Sequence, residues 1–401
     1  TGRRNNSAYS NFKYYYKGFN FNASYNIGEQ NLALGYSGYK FQFGSFQSTA
    51  EYLIKWKNLK ILPGINYQYV FIDDLPFLEE GQTGIFNGKQ ELSNTAGYLR
   101  LDYLLMEKLR LTAAGRWEWF KLPEQDYFSY QLTASYLIDS HSNIRLVYSK
   151  ANRGPFMWDY HVNFTQNTSY GNTSLITNYR QNPDLKLLEM QMFELGFRSH
   201  LSKNISTDVS FFYNITSNYN LPEGDLFQYG DHDYQLDITK ENLPLKSYQM
   251  GLSMMLEAVI TKNIQAKVFA SLQQTNLDKL SSYYDLNDTV IIVIRNDSKI
   301  HKSTPSFTGG FYVNYQINNK LSANANLYYI SEQEVFTYDG LKAVKAKALL
   351  NMKVSYQFWR KNTVFISGRN ILNNNDYEFI FADTVGSEFL IGLSIKFGSN
   401  K

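Results

Sequence analysis

Apolar and polar side chains alternate at every second residue, in runs of about ten, and this alternation limits what the 401-residue chain can fold into. In residues 306–317, Phe307, Gly309, Phe311, Val313, Tyr315 and Ile317 share one parity, opposite Ser306, Thr308, Tyr312, Asn314 and Gln316. A period of two belongs to a β-strand with two unlike faces. The split recurs in residues 347–358, where Ala348, Leu350, Met352, Val354, Tyr356 and Phe358 oppose Lys347, Asn351, Lys353, Ser355 and Gln357. It recurs again in residues 204–215 and 247–257. A soluble sandwich produces the same pattern, so periodicity leaves sandwich and membrane barrel both open.

The connections separate the two. Tight polar turns fall at residues 106–108, 139–142, 202–203, 261–263, 318–320 and 360–361. Between them lie long connections at residues 73–91, 152–186, 216–245, 276–302, 331–342 and 370–387, with a single brief one at 122–126. Many long structureless loops are rare in ordinary domains, and a sandwich gives no reason for all of them to fall on one edge. A transmembrane barrel does, with short periplasmic turns and long extracellular loops.

Composition agrees. Residues 1–401 contain no Pro- or Ser-rich linker and read as one outer-membrane barrel domain. Aromatic residues make up 16% of the chain, 33 of them Tyr, more than a soluble core needs; Tyr and Trp favour the membrane interface. The mean hydropathy of −0.40 would suit a soluble protein, but a barrel strand meets lipid only with alternate side chains. Without cysteine the chain has neither disulfides nor thiol chemistry. The near-balanced charge of +3 argues against a nucleic-acid partner. The apolar stretch 290–294 reads as a strand of an extracellular hairpin.

At roughly ten residues per span, the fold class is an all-β, antiparallel up-and-down transmembrane barrel with about 16–18 strands visible. In the last strand Phe389, Ile391, Leu393, Ile395 and Phe397 face lipid, opposite Glu388, Gly392, Ser394 and Lys396. That strand descends from the long-loop side and ends on the periplasmic side.

A final alternating strand ending in Phe resembles the assembly signal of bacterial outer-membrane proteins. The stretch Ile366-Ser367-Gly368-Arg369-Asn370-Ile371-Leu372-Asn373 resembles the Asn-Leu-aromatic-Asn segment before the last hairpin of TonB-dependent receptors. Arg153-Gly154-Pro155 is similar to that family's Arg-x-Pro. Asn182-Pro183-Asp184-Leu185, then Glu189 and Phe193-Glu194-Leu195-Gly196-Phe197, is similar to its Asn-Pro-x-Leu-x-Pro-Glu and Glu-Leu-Gly pattern. Here Leu187-Leu188 replaces the second Pro and Glu189 comes one residue late. The order and spacing over residues 143–397 carry the resemblance. It implies a 22-stranded importer with an N-terminal plug and a segment gripped by TonB. The chain shows no plug-like or TonB-binding sequence, so it reads as the C-terminal portion of such a receptor, in a Tyr- and Asn-rich style similar to that of the Bacteroidota.

Catalysis has little support: His141, His161, His200, His232 and His301 share no strand face with a nucleophile and an acid. Gly309-Gly310 sits within a strand, where small residues mark a bend. The acidic stretch 223–237, with Asp225, Tyr229, Asp231 and His232, reads as a solvated hairpin, with loop Ca²⁺ as the alternative. Phe156, Trp158, Tyr160, His161, Phe164, Tyr170, Tyr179 and Arg180 form an aromatic loop that either catches a ligand or packs the loops together.

The leading expectation is active import of a bulky, scarce nutrient: an iron chelate, a cobalamin, an oligosaccharide or a peptide. The alternatives are a scaffold whose loops hold surface lipoproteins and a passive porin. The expected partners are outer-membrane lipids and, through the N-terminal part, TonB.

Overall fold

The structure is a computed structural model describing residues 4–32, 39–278, 300–337, 340–359, 362–377, 379 and 384–396. Phe397, residues 290–294 and the turn at 360–361 lie outside the described residues. The chain begins with β1 (Arg4–Tyr16), β2 (Phe19–Asn31), β3 (Lys40–Tyr52), β4 (Ile54–Trp56), β5 (Leu59–Asp73), β6 (Lys89–Leu105), β7 (Leu109–Phe120), β8 (Gln125–Leu137) and β9 (Ser142–Asn152). Helix α1 (Met157–His161) precedes β10 (Phe164–Tyr170), β11 (Thr173–Arg180), β12 (Glu189–Ser202), β13 (Ile205–Ser217), β14 (Asn220–Gln228) and β15 (Asp233–Asn242). Then come β16 (Ser247–Thr261), β17 (Ile264–Leu277), β18 (Ile300–His301), β19 (Phe307–Gln316), β20 (Leu321–Ile330), β21 (Gln333–Thr337) and β22 (Gly340–Val344). The last three are β23 (Lys347–Trp359), β24 (Asn362–Arg369) and β25 (Glu388–Ser394).

Among the described residues the main sheet has 19 strands, two of which, β4 and β18, are short pieces that continue β3 and β19. The other seventeen form an antiparallel meander from β1 to β25, each pairing with the next wall strand along the chain. Among the described residues β1 and β25 do not pair with each other.

Register explains the two faces. One row across the wall reads Leu146, Leu195, Phe211, Leu252, Leu272 and Phe307. One residue along, the row reads Gly196, Ser210, Ser253, Ser271 and Thr308. The apolar row faces out and the polar row faces the lumen, so a slip of one residue would exchange the faces. Ile391 is 75% exposed and Leu393 59%; each outward side chain of this kind contributes about 1.5–3 kcal/mol by leaving water for hydrocarbon.

Within the described residues, buried apolar side chains are few and gather at the long-loop end. One cluster contains Phe41, Ile72, Ile85, Phe86 and Val162, and the other contains Phe120, Tyr160, Leu185 and Leu187. The wall between lumen and lipid is one layer thick and has no core of its own.

Two expectations need correction. Gly309-Gly310 makes no bend: β19 keeps unbroken register with both neighbours, and a Cβ on Gly310 would sit 2.0 Å from the Leu327 carbonyl oxygen. Glycine serves close approach of backbone there. The long connections are also structured. β10, β11, β15 and β14 form a four-stranded sheet in which β11 and β15 run parallel, and β21 and β22 form a hairpin.

Placing a charge on the lipid face tests the wall. Ile391→Arg is expected to cost about 2–4 kcal/mol near mid-bilayer, whereas Ser367→Arg, on the luminal face of β24, leaves stability nearly unchanged. The folded fraction, read from heat-modifiable gel mobility after refolding into lipid, distinguishes the two outcomes.

Candidate functional site

The extracellular mouth is built from three connections: residues 74–88 after β5, 153–188 after β9 and 218–246 after β13. Asp74, fully buried, organises the first. Its carboxylate accepts backbone N–H bonds from Phe86 (2.7 Å), Asn87 (3.2 Å) and Gly88 (2.7 Å). Asn87 and Gly88 take left-handed φ values of 51° and 115°, turning their amides toward that carboxylate. The Asn163 amide donates to the Ile85 carbonyl at 3.0 Å, joining the first connection to the second.

Asp159 on α1 joins the second connection to the third. Its side chain is 9% exposed and pairs with Arg153 at 3.0 Å and with Lys240 of β15. It also accepts a hydrogen bond from Asn220 Nδ2 at 3.0 Å, and Arg153 donates to Asn220 Oδ1 at 3.2 Å. A nearly buried carboxylate is stable only when so supplied with donors. Asn182 makes a second bridge, donating to the Lys240 carbonyl at 2.8 Å and to Glu241 at 3.1 Å while accepting from the Asp184 amide at 3.0 Å.

The aromatic residues divide into two groups. Tyr160 is buried and donates to the Leu185 carbonyl at 2.7 Å; burial pushes its phenol above the usual range. Phe164 and Tyr179 stack with centroids 4.4 Å apart. His161 is buried, Tyr170 closes β10 opposite Thr173, and these strands pack the loops together. Phe156 and Trp158 remain open at 53% and 45% exposure; Arg153 lies 4.8 Å over the Phe156 ring and Phe86 meets Trp158 edge-on at 6.1 Å. Arg180 is exposed at the end of β11.

Asp225, Tyr229, Asp231 and His232 lie exposed along the β14–β15 hairpin and its tip. Asp237 opposite Asp225 accepts from Asn178 at 2.6 Å and from Gln235 at 3.0 Å. Among the described residues no three His, Asp or Glu side chains converge on a metal site, so the Ca²⁺ alternative gains no support.

Below the loops, several luminal charges are paired. Arg145 reaches Glu194 at 2.8 Å and Asp208 at 3.2 Å, with Gly196 leaving room for its side chain. Arg116 pairs with Glu118 at 2.6 Å, while Lys150 and Glu189, on the outward parity of β9 and β12, pair at 2.7 Å. Glu51 accepts from Asn20 and Tyr98, both at 2.9 Å.

Sequence reasoning missed Asp74, Asn220 and Lys240, which carry no local signal. Arg153 and Asn182 were visible as motif residues, and Asp159 as the neighbour of Trp158 and His161. Asn370 shows what its motif does: it donates to the Asn374 and Val385 carbonyls, both at 2.9 Å, and accepts from the Asn374 amide at 3.1 Å. It thereby ties down the last long connection.

Residues 1–371 match the model of a family described as TonB dependent receptor-like, beta-barrel. Among solved structures, the ferric enterobactin receptor PfeA of Pseudomonas aeruginosa is similar at 15% identity and TM-score 0.73, covering 98% of this chain and 62% of that one. The siderophore receptor PirA of Acinetobacter baumannii is similar at 12% identity and TM-score 0.66, covering 92% and 58%. The FrpB iron transporter of Neisseria meningitidis is similar at 12% and 0.69, covering 98% and 63%. The chain thus spans about three fifths of their lengths. No curated protein sequence matches it.

Asp159→Asn removes the charge between two cations and is expected to free α1 from β14 and β15, at a cost of about 1–3 kcal/mol. Hydrogen exchange should then speed up in β10–β11 and β14–β15 while β16 and β17 stay protected; unchanged loop protection would disprove the latch. His161 gives a second test. Desolvation lowers its pKa, Lys121 adds to the effect, and a hydrogen bond with the Glu91 backbone opposes it. Its Nε2 is buried without a partner. Its contribution is complete above the ordinary value near 6.5 and declines as pH falls through that value toward the lowered one. Proteolysis of the loops should accelerate over that window, and His161→Phe should flatten the response.

Proposed function

The chain belongs to the TonB-dependent receptor family, β-barrels of the bacterial outer membrane, and from that premise we propose that the whole protein imports a bulky, scarce solute with energy delivered through TonB. Family members and the similar structures are transport receptors and not enzymes. One observation carries the reading: an ordered cap, in which β11 pairs with β15 and Asp159 bridges α1 to β14 and β15, lies over a wall that pairs Arg145 with Glu194 and Asp208 in its lumen. A passive pore needs an open mouth and unpaired charges at its constriction. A capped channel suits capture of one ligand at a time.

In hydrocarbon an unpaired strand edge is costly. The edges of β1 and β25 support reading this wall as the C-terminal part of a barrel with roughly five further strands. The plug and the TonB-binding segment would belong to the same larger protein. Phe156, Trp158, Arg180, Asp225, Tyr229, Asp231 and His232 are the exposed groups we assign to ligand capture, and the same rim offers a surface to a lipoprotein partner. Tyr160, His161, Phe164 and Tyr179 hold that surface in place, with Tyr170 at the end of β10. Among the nutrient classes a ferric chelate comes first, because PfeA is a ferric enterobactin receptor.

Deleting the gene, or deleting TonB, is expected to abolish growth on a ferric catecholate supplied as sole iron source, with rescue by the wild-type gene. Trp158→Ala should raise the concentration for half-maximal uptake about tenfold, the loss of one well-packed aromatic contact. Steady conductance of the complete protein in planar bilayers would replace this reading with a passive pore.

A further inference from the structure

The short-turn edge carries a pattern that transport does not require. Lys17, Lys57, Lys108, Lys203, Lys262 and Lys320 lie in six different tight turns, and all six are exposed. Among the described residues no carboxylate lies within 4.0 Å of any of their ammonium groups. The acids in the described turns are Glu107 and Asp139, and Asp139 accepts the amide of His141 in its own turn at 2.7 Å. At the opposite edge, the connection 218–246 carries six acids against two lysines, and 74–88 carries three acids and no base. Those two connections are therefore acidic, opposite in charge to the lysine edge, while the connection 153–188 between them holds three bases and two acids.

The lysines are held at a set depth. Just inside the turns on the outer face stand Tyr16, Tyr52, Trp56, Tyr103, Tyr136 and Tyr356, all exposed. Aromatic side chains of this kind settle at the boundary between hydrocarbon and headgroups, which places the lysines one step beyond it. Successive short turns are two strands apart, about 10 Å along the rim, so the ammonium groups form a spaced row. Lys17 and Lys57 occupy left-handed backbone at φ 45° and 51°, where Asn or Gly is favoured. Lysine stands there against local backbone preference.

We propose that this row of lysines binds the anionic headgroups of the inner, periplasmic leaflet, and so fixes the barrel's depth and recruits acidic phospholipid around its base. The chemistry is ammonium to phosphate, and the occupant is a phosphatidylglycerol-type lipid.

The test compares the complete receptor reconstituted in phosphatidylcholine vesicles containing a minor fraction of brominated phosphatidylglycerol with the same receptor in vesicles where phosphatidylcholine carries the bromine. Trp117, Trp119 and Trp158 are changed to Phe, so that Trp56 and Trp359 report the short-turn edge. Wild type should show preferential quenching by phosphatidylglycerol, on the order of fivefold for each engaged lysine at low salt. The preference should collapse at high salt, survive replacement of all six lysines by Arg, and vanish when they become Gln. Should the six-residue Gln variant fail to insert, the salt dependence of wild type decides alone. Equal quenching by both lipids, a preference insensitive to salt, or a preference retained in the Gln variant would overturn the proposal. So would stronger retention by purified peptidoglycan than by the acidic vesicles, which would assign the row to the cell wall.

Discussion

A peptide N–H or C=O group in hydrocarbon has no water to bond with, and the architecture follows from that one fact. Each wall strand must find its partners in its neighbours, which the meander from β1 to β25 supplies with connections as short as two residues. The side chains are then left to satisfy two solvents. In a soluble sheet one face makes a core; here one face meets lipid and the other the lumen, so the row through Leu195, Phe211 and Leu252 packs against solvent. Such a wall needs no core and draws its stability from backbone pairing and from partition into the bilayer.

Ordinary globular rules return only at the long-loop end, where water reaches both sides. There the buried apolar residues cluster, and there lie the buried carboxylates of Asp74 and Asp159. Asp74 is satisfied by three amides of one turn, so it shapes a single connection. Asp159 is satisfied by Arg153 from its own connection and by Asn220 and Lys240 from another. The difference matters: removing the first would loosen a loop, while removing the second would free α1 from β14 and β15 and leave only the β11–β15 ladder and the Asn182 bridge between the two connections. Buried ion pairs of this sort add little net stability over apolar packing, but they specify which surfaces meet.

The wall was legible in the sequence because lipid on one side and water on the other impose a period of two that needs no long-range information. Turn positions among the described residues followed from the same alternation, and the seventeen wall strands described fall within the 16–18 expected. The cap was not legible. The parallel pairing of residues 174–180 with 233–239 joins segments nearly sixty residues apart, and nothing local in Thr177 or Leu236 announces it. The aromatic loop raised a question that sequence could not answer, capture or packing, and burial assigns Tyr160 to packing while Trp158 stays exposed. Motif residues proved informative in a different way than expected. Arg153, Asn182 and Asn370 anchor long connections, so what looked like a family signature is the set of positions that holds the mouth in shape.

That arrangement bears on how ligand capture would reach the wall. α1 sits between the two loop clusters: Tyr160 packs with Leu185 and Leu187, while Asp159, one residue earlier, holds Asn220 and Lys240. A solute pressing on Trp158 would bear on the same short helix and through it on both neighbouring connections. Regions of low local stability are where binding motions reside; α1 is held to the β14–β15 hairpin by salt bridges and a few side-chain hydrogen bonds, whereas the cap sheet and the wall strands are joined by backbone ladders. Displacement would therefore be taken up in the joint at Asp159 before any wall strand moved. The wall would stay a fixed frame against which the loops open and close.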